Sequence, residues 1–303
     1  MAEARPVPPG GGEGLRPVLA EALGPGPGGA PPAHPEGSRR WAGHLPGAGA
    51  PAGFCRAVPD EETRARGRLC LDALYVSPPH RRKGLGRALL QAAREAARAE
   101  GLEGLWAYSH LELPPAFVER TGGAKLRALQ FFHHGRLAAI PSPRIPQGYR
   151  VRALSLPADL APAASLYNAA LGQMWNFSPH TAQDIAHWFK EGDAAAGNCL
   201  LLESLPGQAE PAGLLGMAVL AVDPARLGAG DKTAYLPDIG VHPAHRGKGW
   251  GEILLASAAA RALEMGLTGI ELVADASDEG ACGFYRRMGF EARGTLRVYE
   301  WLS

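Results

Sequence analysis

The strand-like segment Ala234–Val241 runs into His242-Pro243-Ala244-His245-Arg246-Gly247-Lys248-Gly249-Trp250-Gly251, and apolar residues then recur at helical spacing to Met265. The first turn of a helix carries backbone N–H groups without partners and a partial positive charge. Glycines there bring the main chain close to an anion, because no Cβ intervenes. Arg246 and Lys248 add cationic donors, so the segment reads as a pyrophosphate cradle. Its rival reading is close packing of strand on helix. Other phosphate motifs fit less well. A Walker A loop needs Ser or Thr after the lysine, where Gly249 stands. A dinucleotide fingerprint needs another glycine spacing, and no acidic ribose ligand stands out.

The same register occurs earlier. Val76-Ser77-Pro78-Pro79-His80-Arg81-Arg82-Lys83-Gly84-Leu85-Gly86 shares V-x-P-x-H-R-x-K-G-x-G with Val241–Gly251. Nearly half of the residues from Val76 to Leu105 are identical to those from Val241 to Ile270. Alanine bias cannot produce that register, so the chain reads as two homologous domains. Between them, Ile140-Pro141-Ser142-Pro143-Arg144-Ile145-Pro146-Gln147-Gly148 can sustain neither helix nor central strand. A stiff linker at 140–148 therefore separates a domain at 1–139 from one at 149–303. The start is rich in Gly and Pro, and residues 1–13 are expected to be disordered.

Periodicity supplies the elements that must position the cradle. In the C-terminal half, Tyr149–Leu154, Asn198–Glu203, Leu214–Val222, Ala234–Val241, Gly269–Ala274 and Arg297–Leu302 pattern as strands. Ala158–Leu171, Thr181–Glu191, Arg246–Met265 and Gly280–Met288 pattern as helices. The N-terminal half keeps the middle of this plan: strand Leu69–Val76, helix Arg81–Ala99, strand Gly104–Tyr108 and short helix Pro115–Thr121. The breaker-filled stretch Gly24–Pro35 leaves little room upstream for two good helices.

A chain of 303 residues with 46% hydrophobic residues can bury two modest cores. Its 31 basic and 30 acidic residues leave a net charge of +1, too little to draw it onto nucleic acid or a membrane. Cys55, Cys70, Cys199 and Cys282 form no C-x-x-C pair and no zinc-ligand spacing, so no metal is expected. Idle thiols, the lack of an apolar run of about 20 residues and the lack of a secretory leader make the cytoplasm the expected compartment.

The R-x-x-G-x-G element after a V-x-P strand end resembles the acetyl-CoA-binding motif of the GNAT superfamily of N-acetyltransferases. Asp278-Glu279-Gly280-Ala281-Cys282-Gly283-Phe284-Tyr285-Arg286-Arg287-Met288-Gly289-Phe290 resembles that family's N-x-x-A-x-x-x-Y-x-x-x-G-F segment. The likeness covers residues 148–303 and roughly 54–135. Two tandem domains are similar to the mycothiol synthase-like members, which acetylate an amino-sugar thiol conjugate. The resemblance implies an α/β, α+β-like fold. Each domain would be a mixed, mostly antiparallel sheet with a splayed parallel strand pair, flanked by helices. It also implies acetyl-CoA as cosubstrate. The main chain of Ile239, Gly240 and Val241 would hold the pantetheine arm, with the Val241 N–H facing the thioester carbonyl. Arg246, Gly247, Lys248, Gly249, Trp250 and Gly251 would hold the pyrophosphate. Asp278 replaces the family's Asn at a cofactor contact.

Tyr285 takes the place of the family's acid and touches the cofactor; a phenol near pKa 10 can protonate a thiolate of similar basicity. Its rival reading is a packed aromatic. Asp238 is the candidate base, with Glu203, Glu271 and Asp275 behind it. Its rival reading is a cap or a surface carboxylate. His242 and His245 are expected on an exposed turn. Trp175 and Phe177 fall where relatives place an acceptor lid, or else pack beneath it. Ribosomal-protein acetyltransferases carry Glu where Val273 stands, which counts against that acceptor class.

The halves are expected to be unequal. Val118 occupies the place of Tyr285 when Phe117 is matched to Phe284. Leu74, Val76, Arg81, Arg82, Lys83, Gly84, Leu85 and Gly86 then form a possible second CoA site without catalysis. The expected activity is direct transfer of an acetyl group from acetyl-CoA to a primary amine of a small molecule or peptide, in the C-terminal domain. The alternative is a non-catalytic CoA-binding regulatory or scaffold protein. The expected state is a monomer whose two domains pair within the chain, with a homodimer as the alternative.

Overall fold

Apolar residues alternate along most of the strands of the computed structural model, which describes residues 1–7, 18, 37–47, 49–175, 177–191, 195–207 and 213–303. In the first part of the chain these are β1 (Glu3–Pro6), β2 (Arg39–His44), β3 (Gly53–Val58), helix α1 (Glu61–Ala65), β4 (Arg68–Val76), α2 (Leu85–Ala99), β5 (Gly104–Ser109), α3 (Pro115–Arg120) and β6 (Gly123–His134). Then come β7 (Tyr149–Ala153), α4 (Leu160–Leu171), α5 (Ala182–Glu191), β8 (Cys199–Ser204), β9 (Leu214–Ala221), α6 (Pro224–Gly228), β10 (Thr233–Val241), α7 (Trp250–Glu264), β11 (Gly269–Asp275), α8 (Glu279–Arg287) and β12 (Glu291–Leu302).

Residues 1–129 and 295–303 form one compact unit, and residues 130–294 a second. This differs from the sequence boundaries in two places. Residues 130–139 of the expected first domain and the whole expected linker fall with the second unit, where Leu137 and Ile140 are buried in the core. The last nine residues fall with the first, because Tyr299 and Trp301 are buried in its core. Disorder expected over 1–13 is corrected at Glu3–Pro6, which pairs antiparallel with β2 through Glu3↔His44 to Pro6↔Trp41. Residues 8–13 and the breaker-filled Gly24–Pro35 lie outside the described residues.

In the first unit β1, β2, β3 and β4 are antiparallel neighbours, and β4 runs parallel to β5. β12 pairs antiparallel with β5 from Arg297↔Ser109 to Leu302↔Gly104. α2 lays Leu85, Leu89, Leu90, Ala93 and Ala97 on this sheet, at the spacing of one helix face. Close approach at the last strand demands small residues. A Cβ on Gly104 would lie 2.2 Å from the Trp301 carbonyl oxygen, and one on Gly123 2.4 Å from the Trp301 indole nitrogen.

In the second unit β7, β8, β9 and β10 are antiparallel neighbours, and β10 runs parallel to β11. Alternation along β8 and β9 serves two cores. Leu200, Leu202, Leu215, Ala218 and Leu220 face α7 and α8, while Cys199, Leu201, Met217 and Val219 face α4 and α5. Both faces are covered, so these strands read as unbroken apolar runs.

Each fold is the expected mixed sheet with one parallel pair. Both long helices start later than their periodicity indicates, at Leu85 and Trp250. Gly84 (φ +87°) and Gly249 (φ +82°) take left-handed conformations just before them, which no helix continues through. Among the described residues, no helix is long and apolar enough to cross a membrane, no His/Cys/Asp/Glu group could hold a metal, and all four cysteines are buried free thiols.

Trp301 is fully buried, and its indole donates to Thr121 Oγ1 at 2.9 Å. Trp301→Ala is expected to destabilise the first unit by about 3–5 kcal/mol, read as a lower denaturation midpoint. An unchanged midpoint would show that the terminal strand does not hold that core.

Candidate active site

β10 is nine residues long but keeps register with β11 only over Thr233↔Gly269, Ala234↔Ile270 and Tyr235↔Glu271. On its other side the pairing with β9 skips from Tyr235↔Ala221 to Asp238↔Val219. β10 therefore carries one extra residue in Leu236–Pro237. Such a bulge bends the strand and increases its twist, and Pro237 has no N–H to give a ladder. Beyond it Asp238, Ile239, Gly240 and Val241 pair with β9 alone, through Val241↔Gly216. The strand edge toward β11 is thus released where the sequence expected the two strands to splay.

The expected cradle follows. Pro243–His245 is a single 3-10 turn, and His242 Nδ1 accepts from the Ala244 N–H at 3.3 Å. Gly247 (φ +76°) and Gly249 (φ +82°) are exposed, and a Cβ on either would meet nothing within 4 Å. The two glycines are open to a ligand, not sealed by packing. Trp250 is buried and stacks at 4.6 Å on Tyr149, while Gly251 backs onto Phe284. The guanidinium of Arg246 is committed elsewhere. It donates to Val241 O at 3.1 Å and to Ala170 O at 2.8 Å, tying the turn to the carbonyl end of α4. A cation there complements the negative end of the helix dipole. Of the two expected cationic donors, Lys248 alone is exposed with no partner among the described residues.

Asp238 sits just past the bulge. It accepts from the Tyr167 hydroxyl of α4 at 3.1 Å. Burial pushes its carboxyl above the usual carboxylate value, opposed by the Tyr167 hydrogen bond and the field of His180. The other candidate carboxylates are occupied. Glu203 pairs with Arg150 at 2.6 Å and Arg152 at 2.8 Å, Glu271 pairs with Arg226, and Asp275 accepts from the Ser277 N–H and hydroxyl. Unlike Glu203 and Glu271, Asp238 pairs with no arginine, and burial is the largest influence on its carboxyl.

Tyr285 is 8% exposed, on α8, with rings of Phe132, Phe284 and Phe290 within 5.9 Å. Its hydroxyl makes no hydrogen bond to any described residue. Burial first, and then the negative fields of Asp278, Cys282 and Asp238, raise its pKa, so the proton stays on the phenol. Asp238 thus acts electrostatically on the candidate acid. Asp278 itself is the N-cap of α8, its carboxylate taking the Ala281 N–H at 2.8 Å. One of its oxygens is thereby spent on the helix rather than on a cofactor.

Phe177 belongs to an aromatic group on the α4–α5 side: Tyr167 lies 5.9 Å from Phe177, 5.0 Å from His180 and 4.9 Å from Trp188. Asn168 latches this loop, donating to His180 O and accepting from His180 N, both at 2.8 Å. Trp175 is half-buried beside it, and Asn176 lies outside the described residues. Tyr167 and Trp188 escaped sequence reading because helical periodicity marks them only as core, and His180 because it stands in a loop just before a helix. Tyr235, 38% exposed at the last paired position of β10, escaped as an ordinary strand residue; burial and the Asp238 field raise its pKa.

In the first unit the strand–turn–helix geometry recurs. β4 pairs with β5 only from Arg68↔Gly104 to Leu71↔Ala107, and the β3 register skips Asp72, a bulge at the position of Pro237. Leu74 and Val76 lie beyond it, followed by Arg81, Lys83, Gly84, Leu85 and Gly86. Arg82 (φ +62°) holds the left-handed conformation that Gly247 holds in the second unit, and Arg81 Nε donates to Val76 O at 3.0 Å, as Arg246 does to Val241 O. Ala73, however, stands where Asp238 stands, and Val118 where Tyr285 stands.

Residues 30–117 and 161–290 match the family model described as acetyltransferase (GNAT) family. A mycothiol acetyltransferase of Mycobacteroides abscessus is 28% identical over 250 residues, covering 82% of this chain and 80% of that one. Among solved structures, a GCN5-related N-acetyltransferase from Sphaerobacter thermophilus superposes with a TM-score of 0.70 at 18% identity, covering 99% of this chain and 95% of that one. A tandem GNAT protein from the clavulanic acid biosynthesis pathway superposes with a TM-score of 0.61 at 19% identity, covering 100% and 98%.

An NMR titration of the Asp238 carboxyl carbon is expected to give a midpoint above the ordinary 3.8 of an aspartate. Tyr167→Phe should move it higher still, because the lost hydroxyl donates to the charged form. A lower midpoint in the variant would contradict this geometry.

Proposed function

Given that the chain belongs to the acetyltransferase (GNAT) family and is an N-acetyltransferase, we propose that it moves an acetyl group directly from acetyl-CoA to a primary amine in the second unit. One observation carries this: an open Gly247–Gly249 turn follows a strand whose edge is released past Tyr235, with Asp238 on that strand and Tyr285 on α8. Backbone N–H groups from Gly247 to Gly251 hold the pyrophosphate, with Lys248 as the mobile cation. The released edge at Ile239–Val241 takes the pantetheine arm. The Val241 N–H is the candidate donor to the oxyanion that develops as the amine attacks the thioester.

Three steps fall to the side chains. Asp238 accepts the ammonium proton. Its burial-raised pKa brings it closer to the working pH and makes it a better base than a solvated aspartate. The amine then attacks, and the C–S bond breaks. Tyr285 gives its proton to the departing thiolate and takes up the proton that the nitrogen sheds on becoming an amide; a phenol with no acceptor among the described residues is free to do so. In the first unit, Ala73 and Val118 can neither take nor give a proton, so that unit binds CoA at most.

The acceptor is a small-molecule amine. Relatives named for mycothiol support a low-molecular-weight acceptor, and amino-sugar amines head the panel to be assayed. The aromatic group of Tyr167, Phe177, His180 and Trp188 supplies the apolar wall beside Asp238.

Tyr285→Phe is expected to lower kcat by about 10²–10⁴ while leaving acetyl-CoA affinity near that of the parent, measured by thiol release and calorimetry. Val118→Tyr should restore nothing to the first unit. Near-normal turnover in Tyr285→Phe would exclude the acid role and the asymmetry between units. Acetyl-CoA binding without thiol release against a broad amine panel would instead identify a binding protein.

A further inference from the structure

Beside the cradle, within the second unit, lies an open bowl of about 1080 Å³ that none of the chemistry above uses. Gly249, the cap of α7, forms part of its wall, so the bowl adjoins the seat assigned to the pyrophosphate. Arg136 after β6, Arg144 in the proline-rich segment and Arg287 at the end of α8 also line it. These three cations come from three separate stretches of chain. None of the three guanidinium groups has a carboxylate partner among the described residues, whereas Arg293, also on the wall, is paired with Glu291 at 3.2 Å. Glu252 is the one other carboxylate of the wall. Arg136 also reaches the neighbouring His134, whose pKa is lowered by burial and then by His133 and Arg136.

Like charges gathered without counterions repel, and an anion that bridges them removes that cost. Guanidinium groups favour a multiply charged oxyanion over a monoanion, because each can donate two hydrogen bonds to its oxygens. Ligand sites for molecules of nucleotide size run about 300–1,000 Å³, so the bowl has room for a nucleoside as well as its phosphate. We propose that Arg136, Arg144 and Arg287 form a phosphomonoester site for the 3′-phosphate end of the coenzyme, whose pyrophosphate sits on the adjoining Gly249 turn. The site makes the protein select CoA over its 3′-dephospho form. This rests on the acetyl-CoA reading above, and extends it from the main-chain cradle to side chains outside the motif.

The test uses the full chain and calorimetry with CoA, 3′-dephospho-CoA and inorganic phosphate. The parent is expected to bind CoA at least tenfold more tightly than 3′-dephospho-CoA, the scale of a lost charged hydrogen bond. Arg144→Gln/Arg287→Gln should erase that preference by weakening CoA alone. Both arginines are exposed and unpaired, so the variant should keep the parent's denaturation midpoint. Equal affinity of the parent for the two coenzymes would overturn the site while leaving the acetyl-donor reading intact. So would equal weakening of both coenzymes in the variant. Arginine-dependent binding of inorganic phosphate with no coenzyme preference would identify a free-anion site and overturn the assignment to the coenzyme. Failure of either coenzyme to bind at all would overturn the donor reading, and this site with it.

Discussion

β10 can stay with β11 only as far as Tyr235, because an extra residue at Leu236–Pro237 turns its far end toward β9. A parallel pair that continued would have used the strand edge for its own ladder. Released, that edge keeps main-chain groups from Asp238 to Val241 available on one side while β9 fixes them on the other. The turn that follows is held to α4 by Arg246, whose guanidinium spans Val241 O and Ala170 O. Opening and cradle are thus parts of one backbone device, built before any side chain does chemistry.

The device also decides which carboxylate is usable. Of the four candidate carboxylates, Glu203 and Glu271 are paired with arginines and Asp275 is held in a turn. Asp238 follows the bulge and meets the Tyr167 hydroxyl. Burial is the largest influence on its carboxyl, opposed by the Tyr167 hydrogen bond and the field of His180. Burial, joined by the fields of Asp278, Cys282 and Asp238, keeps the Tyr285 phenol protonated.

The two units show that backbone and chemistry can part company. The first unit retains the bulge, the early end of the parallel pairing and even the left-handed residue of the cradle, now Arg82 instead of glycine. A side chain there costs conformational energy that glycine would not, yet the path of the chain is unchanged. Where the second unit has Asp238 and Tyr285, the first has Ala73 and Val118. The fold tolerates their loss because both positions are apolar and packed: Ala73 is 9% exposed and Val118 6%.

By itself, the sequence determined the duplication, the strand–turn–helix order, the glycines of the cradle and the mismatch at Val118, since each is written in local residue types and spacing. It also carried Asp238 and Tyr285 as candidates through the family likeness. Only the tertiary structure decided which carboxylate is free, that Arg246 serves the backbone, that Asp278 caps a helix, and that residues 295–303 belong with the first unit's core. It also brought Arg136, Arg144 and Arg287 to one wall. The reason is physical. Local spacing fixes backbone conformation, whereas charge pairing, burial and the partner of a terminal strand depend on residues far apart in sequence, and no window along the chain contains them together.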